Sequence, residues 1–192
     1  MSAWSVRFLI VGRGGFLDTN YARAAHEVGK GKITTVKQLR EFMTDVIPTD
    51  AVFEAAFMDA RVEKGYLARY YLRALEMKQK DDPQPELVPN EEEEEINLEH
   101  VLPENPESNW PEIDPELAAA YYNRIGNMVL LKAKKNSTVG NDSFADKKKV
   151  LASSAFILTS QVGKTKQWDK AKIQDRQKKL AKLAVETWPL TV

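Results

Sequence analysis

The chain has 192 residues, no cysteine, and 28 Lys and Arg balanced by 28 Asp and Glu. That length can bury a sizeable core; the lack of cysteine excludes disulfides, thiolate zinc sites and cysteine nucleophiles; and no apolar run approaches the roughly 20 residues that span a bilayer. The charge is unevenly placed: from Arg124 onward fifteen Lys and Arg face five Asp and Glu, and residues 1–123 carry the matching negative excess, a polarity that fits a basic surface meeting a polyanion.

In residues 4–11, Val6, Phe8 and Ile10 alternate as in a short strand, although the start of a helix fits as well. The stretch lacks a basic n-region and a small-residue cleavage site, so it is not a secretory signal, and the expected location is the cytoplasm. Gly12-Arg13-Gly14-Gly15 is not followed by the Lys-Ser/Thr of a phosphate-binding loop and reads as a turn. Residues 21–28 form an alanine-rich helix stopped by Gly29, with His26 structural or exposed. Thr35-Val36-Lys37-Gln38 has capping-box form, and Val36, Leu39, Phe42, Met43 and Val46 then recur at helical spacing until Pro48. Asp50 can cap another helix, with Val52, Phe53, Ala56 and Phe57 along one side. The clearest helix covers 66–77, with Leu67, Tyr70, Tyr71, Ala74 and Leu75 as its apolar stripe.

Prolines and five successive glutamates then mark 81–95 as a linker between a helical N-terminal region, 1–80, and a second domain, 96–192. In that domain, 96–101 reads as a strand ended by Pro103, 115–122 as a helix with Pro115 in its first turn, and 124–132 as a second strand with Gly126 permitting a bend or close approach. Ser143 followed by Asp146 marks another helix start, with Val150, Leu151 and Ala155 beyond it. From Trp168 a last amphipathic helix turns Ile173, Leu180, Ala184 and Trp188 inward and Lys170, Lys172, Arg176, Lys178, Lys179 and Lys182 outward. The expected class is α+β, mainly helical.

Residues 98–136 concentrate the chemistry. Glu99 directly precedes His100, an apolar run 128–131 follows Asn127, and a lysine cluster leads to Asn136. A neutral histidine suits removal of a proton from water, and the oxygens of Glu99 and Asn136 suit a hard cation such as Mg²⁺. Adjacent strand residues point to opposite sides, so convergence of Glu99 and His100 requires a bend at the strand end.

Glu99-His100-Val101-Leu102-Pro103, then Ile125-Gly126-Asn127-Met128-Val129-Leu130-Leu131 and Asn136, resembles the HNH, or ββα-metal, endonuclease motif in its His-Asn-Asn form. More narrowly, the chain resembles the C-terminal nuclease domain of GmrSD-type modification-dependent restriction enzymes. The likeness runs through Asn141, Phe144, Lys147, Trp168, Arg176, Leu180 and Trp188, and weakly through the segment 68–76. The resemblance implies a ββα-metal core embedded in helices. It makes His100 the general base, Asn127 the residue that orients the histidine loop, and Glu99 and Asn136 the ligands of one Mg²⁺ or Mn²⁺, with Asn141 as the alternative ligand. Lys132, Lys134, Lys135 and Lys147 become phosphate contacts, which raise affinity without reading sequence.

The implied activity is DNA cleavage in restriction and antiviral defence against foreign or modified DNA. The implied partners are DNA and an N-terminal nucleotide-hydrolysing domain or subunit, with no membrane. The zinc-binding cysteine pairs of many HNH domains are absent here, as is the N-terminal nucleotide-handling domain of those restriction enzymes, so the chain reads as a fragment or a separately encoded subunit. Two other readings stand beside the enzyme: a nucleic-acid-binding or interaction module that keeps the fold without cutting, and a helical protein whose acidic half docks a partner.

Overall fold

The computed structural model describes residues 2–81, 96–106, 109–132 and 142–190. The chain is mainly helical with one two-stranded antiparallel sheet, an α+β arrangement. It divides into two compact units, Met1–Phe57 with Ala184–Val192, and Met58–Leu183.

In the first unit, residues 4–10 belong to a helix, α1 (Ser2–Ile10), the second of the two readings open for that stretch. Trp4 and Phe8, four residues apart on one helical face, pack with Ala24, Met43 and Ile47, so tertiary burial overrides the local alternation. Helix α2 (Gly14–Gly29) starts before the alanine-rich stretch and leaves His26 exposed. Helix α3 (Val36–Met43) opens on the expected box: the Thr35 hydroxyl accepts from the Gln38 N–H, and the Gln38 carbonyl accepts from the Thr35 N–H, both at 3.2 Å. Helix α4 (Asp50–Asp59) is capped by Thr49, whose hydroxyl accepts from the Val52 N–H. Asp50 instead pairs with Arg7, a fully buried side chain that also donates to the carbonyls of Pro48 and Trp188.

In the second unit, α5 (Gly65–Lys80) buries Ala68, Tyr71, Leu72, Leu75 and Glu76, leaving Tyr66 and Tyr70 exposed. Its buried face is therefore rotated from the expected stripe. On that face the Glu76 carboxylate accepts the N–H groups of Ile157 and Leu158 and so caps α8 (Ile157–Gly163), a helix not expected from sequence. A carboxylate at the positive end of a helix is favourably placed. Strand β1 (Ile96–His100) pairs with β2 (Met128–Lys132) in the register Ile96↔Lys132 to His100↔Met128. The expected second strand thus loses its first residues to a single 3₁₀ turn, Ile125–Asn127. Helix α6 (Pro115–Tyr121) is capped by Asp114, and α7 (Phe144–Ala152) by Ser143. Helix α7 ends before Ala155 and packs closely on α8: a Cβ on Gly163 would lie 2.1 Å from the Ala152 nitrogen.

Helix α9 (Lys170–Thr187) has Ile173, Leu180, Ala184 and Trp188 on or beside it buried, and the expected lysines exposed. Arg176 departs from the expectation. Its Nη1 donates to the carbonyls of Ile125 (3.1 Å), Gly126 (2.8 Å) and Met128 (2.8 Å), so the guanidinium points into the 3₁₀ turn, away from solvent. Burial lowers its pKa to about 10, an effect that Glu76 opposes. By compactness α5 groups with the sheet; residues 82–95, where sequence composition marks a linker, lie outside the described residues.

Candidate active site

The site grows from the C-terminal end of β1, which delivers Glu99 and His100 side by side at the end of the ladder. The two side chains meet different partners. Glu99 is 8% exposed, and its Oε1 accepts from the Lys147 ammonium at 2.7 Å. Lys147, brought by α7 and itself 1% exposed, also donates to the His100 carbonyl at 3.0 Å. The imidazole of His100 lies flat on the Tyr122 ring, with centroids 4.0 Å apart and planes 16° from parallel. Tyr122 follows α6 and was not anticipated as a site residue, because an aromatic pair at a helix end carries no spacing signal.

Burial dominates the electrostatics. It pushes the Glu99 carboxyl up, against the pull of Lys147, and it pushes His100 down to about 4, with Lys147 adding to the effect. Burial also raises the Tyr122 phenol, helped by Glu104 and Glu99. The His100 Nε2 is buried and, among the described residues, has no hydrogen-bond partner. The result is a neutral imidazole with an orphaned nitrogen, beside a fixed ammonium and a carboxyl.

That state makes a measurable demand. As pH falls from about 6.5 to about 4, the unfolded chain protonates its imidazole before the folded protein does, so the unfolded state binds more protons and stability falls. The loss is at most about 3 kcal/mol for a shift of this size. Glu99 has the opposite sign: with its folded pKa raised above 4.5, its contribution falls as pH rises through that range. An NMR titration of metal-free protein, resolving His100 from the one other histidine, is expected to show His100 neutral until about pH 4. A midpoint above 6 contradicts the burial.

Asn127 is fully buried behind this turn. Its Oδ1 accepts from the Leu102 N–H (2.8 Å) and the Trp168 indole (3.0 Å), while its Nδ2 donates to the carbonyls of Leu102 (2.9 Å) and Tyr122 (3.1 Å). The Asn127 carbonyl in turn accepts from the Val101 N–H at 3.0 Å. One side chain therefore ties the loop after His100 to the carbonyl of the residue whose ring covers His100. The 3₁₀ turn that carries it is held by Arg176 and by Gln177, whose Oε1 accepts from the Gly126 N–H and whose Nε2 donates to the Ala60 carbonyl. Sequence reading missed this clamp. A Cβ on Gly126 would lie 2.6 Å from the Ile173 carbonyl oxygen and 2.7 Å from Gln177 Oε1. Gly126→Ala is expected to cost about 2 kcal/mol, seen as a lower urea midpoint at unchanged slope; an unchanged midpoint refutes the close approach.

Of the remaining expected residues, Lys132 ends β2 with its side chain exposed. Asn136, Asn141, Lys134 and Lys135 lie outside the described residues. Among the described residues no three His, Asp or Glu side chains converge as a metal site. Of the expected ligands only Glu99 lies among the described residues, and its Oε1 already accepts from the Lys147 ammonium. Among the described residues no helix is long and apolar enough to cross a membrane.

Compared with known families, residues 47–183 match the model described as GmrSD restriction endonucleases, C-terminal domain. No curated protein matches the chain.

Proposed function

The chain belongs to the family of GmrSD restriction endonuclease C-terminal domains, and from that premise we propose that it hydrolyses phosphodiester bonds in DNA with His100 as general base. The observation that carries this reading is the unpartnered, buried Nε2 of His100 on an imidazole that burial keeps neutral. A neutral imidazole with a nitrogen lone pair not engaged by the protein is ready to accept a proton from an attacking water. Tyr122 fixes the plane of the ring by stacking, and Asn127 fixes the backbone that follows it. Lys147 supplies a positive charge beside the reacting centre.

Glu99 and Asn136, or Asn141 in place of Asn136, would hold one Mg²⁺ or Mn²⁺. Such an ion neutralises charge on the scissile phosphate and on the leaving 3′ oxygen. Lys132, Lys134 and Lys135 would contact flanking phosphates, consistent with the basic surplus from Arg124 onward. The biological role in this reading is restriction of foreign or modified DNA in the cytoplasm, as one part of a system that includes a nucleotide-hydrolysing domain or subunit.

The test is incubation with supercoiled plasmid. Nicked or linear product is expected with Mg²⁺ or Mn²⁺, and none with EDTA. Failure to cut in either ion sinks the reading. The Lys147–Glu99 pair favours one second reading, since that carboxylate already has a cation: a module that binds DNA without cutting it. Retained DNA binding with no cleavage would select that alternative.

A further inference from the structure

Helix α5 turns two large rings to solvent. Tyr66 is 60% exposed and Tyr70 43%, whereas Tyr71, the next residue, is 2% exposed and lies in the core. Four residues apart, Tyr66 and Tyr70 are neighbours on one helical face. Tyr70 also meets Tyr71 edge to face, with centroids 5.7 Å apart. A tyrosine held in water presents a broad apolar ring with a polar tip, which suits contact with a partner.

The charges around these rings run against the rest of their half of the sequence. Residues 1–123 carry an acidic excess, yet 61–80 hold six Lys and Arg against Glu63 and Glu76. Glu76 is buried at the start of α8, so every other charge on α5 is positive. Lys64, exposed, immediately precedes the helix, and Glu63 beside it is the one exposed acid of that segment. This end of α5 adjoins the candidate site. A Cβ on Gly65 would lie 3.9 Å from the Leu98 side chain, on the strand that ends in Glu99 and His100. The Val62 N–H donates to the Asn123 carbonyl at 2.8 Å, one residue from the Tyr122 ring that covers His100.

Exposed rings among positive charges suit a polyanion that also carries flat apolar faces: a nucleic acid strand with its bases out of the stack. A paired duplex offers its phosphates, but its base faces are stacked inside. We propose that Tyr66 and Tyr70 form a contact surface for single-stranded DNA beside the cleavage site. The rings stack on unpaired bases, and Lys64 contacts a phosphate. The proposal rests on the reading of DNA as substrate, and it adds a surface that distinguishes unpaired from paired DNA. Loss of an aromatic ring that stacks on a base commonly weakens single-strand binding about tenfold or more, whatever the base.

The experiment measures binding by fluorescence anisotropy in EDTA, so that no cutting intervenes. The probes are a labelled 12-nucleotide strand and the matched duplex. Tyr66→Ala/Tyr70→Ala is expected to weaken strand binding at least about tenfold and to change duplex binding less than about twofold. Tyr66→Phe/Tyr70→Phe keeps both rings and is expected to bind the strand within about twofold of the parent. Lys64→Ala is expected to reduce the salt slope for the strand by about 0.7, one phosphate contact. Circular dichroism melts check that each variant is folded. All three positions are exposed, and Lys64→Ala carries the test if the alanine pair does not fold.

Absence of strand binding by the parent overturns the proposal. So does an equal loss on strand and duplex, or strand binding that survives in the folded alanine pair. A parent that runs as a dimer, with the alanine pair running as a monomer, would give this face to a second copy of the chain and overturn it too. Plasmid cleavage by the parent separates the proposal from the reading it rests on. Cleavage, with strand binding unaffected by the ring variants, removes the α5 surface alone. Ring-dependent strand binding without cleavage removes the nuclease reading and leaves the surface.

Discussion

Supercoiled plasmid that the parent protein nicks or linearises in Mg²⁺ is expected to stay intact with His100→Ala, a fall in rate of about 10³-fold. General bases typically contribute between about 10² and 10⁴. Among the described residues the neighbouring groups are Glu99, whose Oε1 accepts from Lys147, Lys147 itself, which also donates to the His100 carbonyl, and Tyr122, whose phenol burial holds in its protonated form. Two controls distinguish lost chemistry from lost structure. His100→Ala leaves the Val101–Asn127 backbone bond and the bonds of the Asn127 side chain to Leu102 in place, so its melt is expected to stay near the parent's. Binding to a short duplex in EDTA is expected to be unchanged, since phosphate contacts do not use the imidazole. A His100→Ala protein that cuts at the parent rate shows that the base lies elsewhere.

Asn127→Ala is expected to cost the most stability of any single change in the second unit, about 4 kcal/mol, and to remove cleavage with it. Oδ1 faces two donors and Nδ2 faces two acceptors, so the orientation of the amide is determined by its surroundings. Alanine leaves the Leu102 N–H, the Trp168 indole and two carbonyls buried without partners, and each such group costs about 1–3 kcal/mol. Asn127→Asp tests the direction of the argument. It retains an acceptor for the two N–H groups but sets an oxygen against the carbonyls of Leu102 and Tyr122, so it too is expected to be strongly destabilised. Urea unfolding measures both variants. A loss below about 1 kcal/mol for either would mean that the Asn127 bonds do not hold the loop.

The helix starts were the most legible parts of the fold. Thr35 with Gln38 and Ser143 with Asp146 are pairs three residues apart, and capping chemistry is complete within that span. Thr49 and Asp50 show the limit: either side chain can cap α4, and a buried arginine 43 residues away engaged Asp50. Helix α5 shows the same limit for burial. Its aromatic residues are spaced for more than one inward face, and the face that is buried carries Glu76 to the end of a helix 81 residues on.

By itself the sequence determined the class of the chain, its two strands, its charge polarity, and the Glu-His and Asn motif with its likeness to a nuclease family. Each of these is written in neighbouring residues or in composition. Only the tertiary structure decided what those motif residues touch. It put Lys147 on Glu99 across 48 positions, Trp168 on Asn127 across 41, and Arg176 into the turn at Gly126 across 50. It also turned Arg176 from an expected solvent face to three carbonyls. No periodicity records such pairs, because a lysine or arginine on a helix has the same local preferences whether its charge meets water or a buried acceptor. Desolvation makes the difference. Away from water the carbonyls of the 3₁₀ turn and the carboxyl of Glu99 need donors, and the packed helices bring Arg176 and Lys147 within reach.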